Sequence, residues 1–383
     1  MPVNRCDFTA HWIFNEKTSE PIEEIINDRG GINTPEANSL RDLMRIRAHN
    51  REFLDSINDN LGTALGFKRR KGQLLSRQPA ILVFVPLKVN PKWIPESQLI
   101  PEKLEGPDGL WCMLDVVQGG KAEYGKEVPE AADELVEKLR GWDDQVWCGS
   151  QVSHWVNEAI GKYSLGTLGA FARKRSDGTL GFLTNQHVGI EPGKKLFHPV
   201  PWGTHLGTTE KVIEYVEDQE WYGPWVDEPN AFVRADCAFV RLASNFNQAD
   251  INPQMMGVGQ LGPVKNISLD DMSIIGQRVL RVGRTTGLRR GTIVAFGYEF
   301  YDERDACVYT DLLIVGDDGV PFSTHGDSGS LIVMDTPQLN PVGLLWGGWQ
   351  EKLRTGYAQE NWTYGIALSR VMDALEIDLV STL

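Results

Sequence analysis

The sequence predicts a mainly β protein with an α+β extension on its N-terminal side. Three observations lead there. After about residue 160, short apolar segments recur between glycines and turn residues at the spacing of small strands. Between Glu36 and Val117 a stretch of helical period is followed by three strand-like runs. Within the β region a single clear helix, Ser369 to Ile377, closes the chain.

Residues 1–35 have no steady period and end in Gly30-Gly31-Ile32-Asn33-Thr34-Pro35, a run of breakers. From Glu36 to Ile57, Leu40, Leu43, Met44, Arg47 and Leu54 fall near one face of a 3.6-residue helix. Leu61–Phe67 and Ala80–Leu87 read as strands joined by the polar turn Lys68-Arg69-Arg70-Lys71-Gly72, and Leu110–Val117 as a third. Residues 1–117 are thus an N-terminal α+β unit. Residues 118–155 form a connector, in which Pro129 starts a helix with Ala132, Leu135, Val136 and Leu139 on one side and Gly141 ends it. Residues 156–383 are the β domain. Its strand candidates include Gly181–Thr184, Cys237–Leu242, Gln277–Val282, Gly291–Phe296, Val308–Val315, Ser330–Val333 and Val342–Trp346.

The chain of 383 residues carries a formal net charge of −14, which argues against a nucleic-acid binder because phosphate binding runs on Lys and Arg. Its five cysteines are scattered and include no CxxC pair, so neither a zinc site nor a disulfide framework is indicated. Reduced thiols in a reducing compartment are the simpler reading. The first thirty residues lack the apolar run of a signal peptide, and Ala80–Leu87 is too short to span a bilayer. A cytoplasmic protein follows, or a nuclear one, with no membrane partner and no cofactor or metal.

The sharpest chemical signal is Thr324-His325-Gly326-Asp327-Ser328-Gly329-Ser330 ahead of the strand Leu331-Ile332-Val333. An acyl-transfer nucleophile needs a tight turn whose backbone N–H groups face the developing oxyanion. Ser328 is the nucleophile in this reading, and the amides of Gly326 and Ser328 are the oxyanion hole. Upstream, Leu180–Gln186 runs as a strand into His187, where a general base would sit. Asp236 stands just before an alternating apolar strand, while Asp218, Asp227 and Asp250 lie in polar, turn-like surroundings and read as solvated. A buried Asp is what an imidazole needs to be held in one tautomer. The order His, Asp, Ser is that of chymotrypsin, and intervals of 49 and 92 residues leave room for one barrel each.

From about Leu61 onward the sequence resembles the plant narrow leaf family of trypsin-like proteases. The matching strings are Gly62–Phe67, Ala80–Val85, Phe182–Val188, Phe232-Val233-Arg234-Ala235-Asp236, Val282-Gly283-Arg284-Thr285-Thr286-Gly287-Leu288, Gly326–Leu331 and Glu360-Asn361-Trp362-Thr363. The resemblance covers about five-sixths of the chain. It implies a two-barrel serine protease of the chymotrypsin fold with an N-terminal extension, acting inside cells as a regulator, and its His, Asp and Ser fall on His187, Asp236 and Ser328. In trypsin-like enzymes the pocket floor lies about six residues before the nucleophile, here Phe322. Val342–Gly348 is similar to the strand lining that pocket, so Trp346 and Gly348 are its expected wall, and no acid stands there to favour Lys or Arg.

Asp327 raises a question of its own. In digestive trypsins a freed N-terminus pairs with this Asp, and here about 150 residues precede the barrels. The expectation is that contacts from the N-terminal unit or another subunit set the Gly326–Ser328 loop, Leu61–Val117 offering edges for a homo-oligomer. The function expected is an endopeptidase acting on protein substrates. The competing readings are a non-catalytic scaffold of the same fold and an esterase using the same triad. Gly283–Gly291 suits a turn between barrel strands, with an anion-binding nest as the alternative.

Overall fold

The computed structural model describes residues 35–69, 77–86, 88, 91–119, 133–222, 231–301, 306–349 and 362–382. Arg70-Lys71-Gly72, the expected helix start at Pro129 and Ala132, Cys6, Asp227 and Glu360-Asn361 lie outside those residues.

The predicted helix over Glu36–Ile57 forms as two. Helix α1 (Leu40–His49) starts at Ser39, whose Oγ accepts from the Asp42 amide, and α2 (Arg51–Asp55) follows after Asn50. Asn50 leaves helical geometry because its side chain donates to Ile46 O and reaches Glu105 O at 2.7 Å. Leu40, Leu43, Met44, Ile46 and Arg47 are buried, so the apolar face read from the sequence includes its one cation. That face packs on β1 (Gly62–Phe67), β2 (Pro79–Val85) and β4 (Trp111–Gln118). Strand β2 pairs antiparallel with β1 and parallel with β4, to which β3 (Lys103–Glu105) is added antiparallel. A short helix, α3 (Glu134–Glu137), is capped by Asp133 and ends at Gly141 (φ 104°).

Two β units follow. The first contains β6 (Gln151–Asn157), β7 (Lys162–Thr167), β8 (Ala170–Lys174), β9 (Leu180–Thr184), β10 (Lys195–His198), β11 (Thr204–Glu217) and β12 (Ala231–Leu242). They pair in the order β7-β6-β10-β11-β12-β9-β8, and β5 (Val146–Cys148) pairs with β13 (Ile251–Met255) beside them. The second unit closes on itself. Strands β14 (Arg278–Gly283), β15 (Gly287–Tyr301), β16 (Cys307–Gly316), β19 (Trp362–Ala367), β18 (Pro341–Trp349) and β17 (Leu331–Met334) pair in a ring that returns to β14. The sequence missed β6, β10 and β11. In Thr204–Glu217 the apolar residues Leu206, Val212, Ile213, Tyr215 and Val216 keep no strict alternation with the polar ones, so its half-buried face left a weak signature.

The α+β unit is not a separate bead. Strand β15 is 15 residues long, and beyond the barrel it continues as the antiparallel partner of β1, Leu65 opposite Phe296. Arg47 of α1 reaches the same strand, pairing with Glu299 at 3.1 Å and donating to Gly297 O at 2.6 Å with both side chains buried. Arg51 takes the other carboxylate oxygen at 3.0 Å. The C-terminal helix α6 (Leu368–Leu375) leads into β20 (Ile377–Leu379), which pairs with β8 of the first unit.

The buried Arg47–Glu299 pair ties the two parts together, and removing Arg47 leaves the buried Glu299 with only Arg51 and frees the Gly297 carbonyl of its donor. Arg47→Met is expected to lower stability by about 3 kcal/mol. Denaturant unfolding checks it, and an unchanged midpoint would show that α1 is held by its apolar contacts alone.

Candidate active site

Strand β9 delivers His187 on the one-turn helix α4 (Gln186–Gly189), and β12 delivers Asp236 from the neighbouring ladder position. His187 Nδ1 lies 2.8 Å from Asp236 Oδ2 and 3.0 Å from Oδ1, and the His187 amide donates to Oδ1 at 3.1 Å. Asn185 Nδ2 holds the Asp236 carbonyl at 2.8 Å. Asp236 is completely buried, and its φ of 37° accompanies a register slip between the pairs Ile213–Cys237 and Tyr215–Arg234. A bulge of this kind re-aims a side chain out of its strand alternation, and Asp is one of the few non-glycine residues at ease there.

Burial alone would raise the Asp236 pKa. The charge and hydrogen bond of His187, with Arg234 3.7 Å away, outweigh it and hold the carboxyl below its ordinary value. His154 on β6 stands near His187. Burial, then the charge of Lys194, push its imidazole down to about 4 despite a bond to the Val188 backbone, so it is neutral at pH 7.

Ser328 sits in the turn before β17. Gly326 has φ 90°, and a Cβ there would come 2.5 Å from Thr285 Oγ1, so only glycine fits. At Gly329, φ 94°, a Cβ would come 2.2 Å from Thr167 O. Thr167 stitches the loop to the first unit, its amide donating to Ser328 O at 2.9 Å and its hydroxyl to Gly326 O at 2.9 Å. Thr184 Oγ1 in turn donates to Thr167 O at 2.8 Å, three residues before His187. With those carbonyls turned inward, the amides of Gly326 and Ser328 donate to no group among the described residues. The Ser328 hydroxyl likewise makes no hydrogen bond among them.

Asp327 carries the loop. Its Oδ1 accepts from the amides of Thr285 at 2.9 Å and Thr286 at 3.2 Å, and its Oδ2 from the Thr324 amide at 3.0 Å and Thr286 Oγ1 at 2.9 Å. Arg281 Nη2 completes the shell at 2.8 Å, both side chains being fully buried. The Gly283–Gly287 turn between β14 and β15 is therefore both things its sequence allowed, a barrel turn and an anion nest, with an internal carboxylate as the anion. This corrects the expectation that the N-terminal unit or a second subunit supplies the partner of Asp327. Every donor comes from the second barrel.

Phe322 is corrected as well. Its ring is completely buried against Gly291 and the Arg281 guanidinium, and its carbonyl accepts from Arg281 Nε at 2.7 Å, so it presents no surface to a substrate. Trp346 is also buried, stacked on Tyr364 with Nε1 bonded to Thr310 Oγ1 at 2.9 Å. Gly348 faces Ser323, whose Oγ lies 2.8 Å from Thr363 Oγ1. Asp218, expected to be solvated, is buried on α5 (Asp218–Trp221), where burial raises its pKa to about 7. Among the described residues four cysteines are unpaired and buried, and burial pushes Cys112, Cys148 and Cys307 up to about 12, which makes them inert as nucleophiles. Among the described residues no helix is long and apolar enough to cross a membrane.

Comparison with known proteins agrees with this layout. The family model "Nal1 C-terminal domain" matches residues 129–383, and "NARROW LEAF 1 N-terminal domain" matches residues 35–117. Protein NARROW LEAF 1 of Oryza sativa subsp. japonica is 41% identical over 369 residues, 91% of this chain and 61% of that protein. A Bradyrhizobium tropiciagri protein named "Probable serine protease" is 29% identical over 307 residues, 74% of this chain and 36% of its own length. The chain thus spans about 61% and 36% of these curated relatives. Among solved structures, Nocardiopsis protease (NAPase) matches 61% of this chain and 99% of its own at 20% identity and TM-score 0.40. Thermobifida fusca protease A matches 62% and 100% at 18% identity and TM-score 0.40.

Arg281→Met would leave the buried Asp327 carboxylate without its cation. A loss of about 3 kcal/mol is expected, with faster amide exchange confined to residues 324–330. Unchanged exchange across that turn would mean the amide nest alone sets it.

Proposed function

The chain belongs to the Narrow Leaf family, and we propose that it is a serine endopeptidase acting through His187, Asp236 and Ser328. The observation that carries this reading is the contact of His187 Nδ1 with the buried Asp236 carboxylate at 2.8 Å, beside a nucleophile turn with inward carbonyls. Asp236 fixes the proton on Nδ1, which leaves Nε2 as the acceptor for the Ser328 proton. Attack on a peptide carbonyl places negative charge on its oxygen, and the amides of Gly326 and Ser328 stabilise it. His187 then returns the proton to the leaving amine, and water repeats the sequence on the acyl-enzyme.

The partners proposed are protein substrates, bound along the Trp346–Gly348 strand. The setting proposed is the cytoplasm or nucleus, and the role regulatory, with a homo-oligomer limiting access. A second reading, a scaffold without turnover, is favoured by the unbonded Ser328 hydroxyl, although such bonds are often long before substrate arrives.

A peptide-library digest with the purified chain separates the readings. Cleavage is expected, with Ser328→Ala losing about 10⁶-fold in turnover and Asp236→Asn about 10⁴-fold. Cleavage by Ser328→Ala at the wild-type rate would place the nucleophile elsewhere. The pH profile has a predicted sign. Asp236 has a depressed pKa, so its contribution is present above that value and lost as pH falls through it. Activity should therefore rise with pH on the acid side. A rate that rises as pH falls through the carboxylate range, with chemistry limiting, would contradict an ionised Asp236 partner.

A further inference from the structure

Arg234 lies two residues before Asp236 on β12, and the bulge between them brings its Nε to 3.7 Å from Asp236 Oδ2. Its side chain is 13% exposed. Two rings hold it there. The guanidinium carbon is 4.7 Å from the Trp346 ring centre and 5.6 Å from that of Tyr215, whose hydroxyl accepts from Nη1 at 3.5 Å. Trp346 is itself fixed by Tyr364 and Thr310, so the cation sits in a rigid aromatic slot. At 3.7 Å the guanidinium Nε is too far to donate a hydrogen bond to the carboxylate and leaves both oxygens to His187.

We infer that Arg234 is a positioning residue of the proposed triad, a fixed positive charge that keeps Asp236 ionised and turned toward His187 without competing for its hydrogen bonds. The inference rests on the peptidase reading for its catalytic consequence, but the pairing itself can be tested without turnover. A buried carboxylate between an imidazole and a guanidinium is stabilised as an anion by both. The depressed pKa of Asp236 accords with this, Arg234 contributing after His187. Among the described residues, these groups face the pair. His187 reaches Asp236 from α4 and Arg234 from its own strand, His154 of β6 faces His187 with Lys194 beyond it, and the buried Cys237 thiol lies behind Asp236 with Lys211 beyond. Arg234 is the cation of this set that acts on the carboxylate through a recorded ion-pair distance.

The sign follows from removing it. Without the guanidinium, Asp236 loses part of what holds its pKa down, so its carboxylate takes up a proton at higher pH. The test uses the full chain with Arg234→Met, which keeps the stem between the rings, and Arg234→Lys, which keeps the charge. Two readouts are followed with pH: kcat/KM on a cleaved peptide, and the downfield Nδ1–H resonance of His187 in a Ser328→Ala background. Arg234→Met is expected to move both transitions up by about half to one pH unit, lowering kcat at neutral pH more than it changes KM. Arg234→Lys, which keeps the charge, should titrate close to the parent. If Arg234→Met titrates like the parent in both readouts, Arg234 is a packing residue and the inference falls. If the resonance moves as expected while the parent chain cleaves no peptide, the pairing stands and the peptidase reading fails. If Arg234→Met unfolds, Arg234→Lys decides: parental transitions support the inference, and an upward shift of both despite the retained charge would overturn it.

Discussion

The Ser328 turn exists in its present form because Asp327 is neutralised from inside the second barrel. An unpaired carboxylate at complete burial would cost several kcal/mol. Arg281 removes that cost, and two amides and a threonine hydroxyl of the Gly283–Gly287 turn fill the remaining lone pairs. With Asp327 anchored, Gly326 is driven to φ 90° over Thr285, its carbonyl turns toward Thr167, and the amide side of the loop is left facing away. The shape of the Ser328 turn is thus a consequence of the buried Arg281–Asp327 ion pair. Phe322 belongs to the same assembly, since its carbonyl fixes the Arg281 guanidinium.

The two halves of the site come from different β units, and their alignment depends on short bonds between them. Thr167 and Thr184 join the Ser328 turn to the strand that ends at His187, while Asp236 sits where β12 bends between its partners β9 and β11. Strand β12 also runs beside β16 of the second barrel over Ala231–Val233. A parallel contact of that kind couples the placement of Arg234 and Asp236 to the second barrel's sheet. The α+β unit acts at one remove. It shares β15 through β1 and the Arg47–Glu299 pair.

Much of this was legible in the residues. Gly326-Asp327-Ser328-Gly329 announces its own turn, because two glycines flanking a nucleophile have few other uses, and the apolar strands before His187 and after Asp236 mark where each would be held. The Asp327 partner was not legible. Arg281 is one of many arginines, and nothing in its neighbourhood distinguishes a buried cation from a surface one until the strands close into a ring. The bulge at Asp236 is similarly silent, since it depends on the register of β11, a strand whose own pattern is weak. Phe322 shows the opposite failure, in which counting six residues back from a nucleophile assumes a loop path that a large apolar side chain refuses by entering the core. Burial of Asp218 was hidden for the same reason as Arg281, because its neighbours Arg47 and Glu299 come from distant segments.

The central claim is that this turn is set by Arg281 and Asp327 within the intact chain, with no cleavage needed to order it. Reaction of the uncut protein with a fluorophosphonate, followed by mass mapping of the adduct, tests it most directly. The account predicts one covalent phosphonyl group per chain, on Ser328, lost in His187→Ala. No adduct on the intact chain, or one that forms only after the chain is nicked, would contradict it.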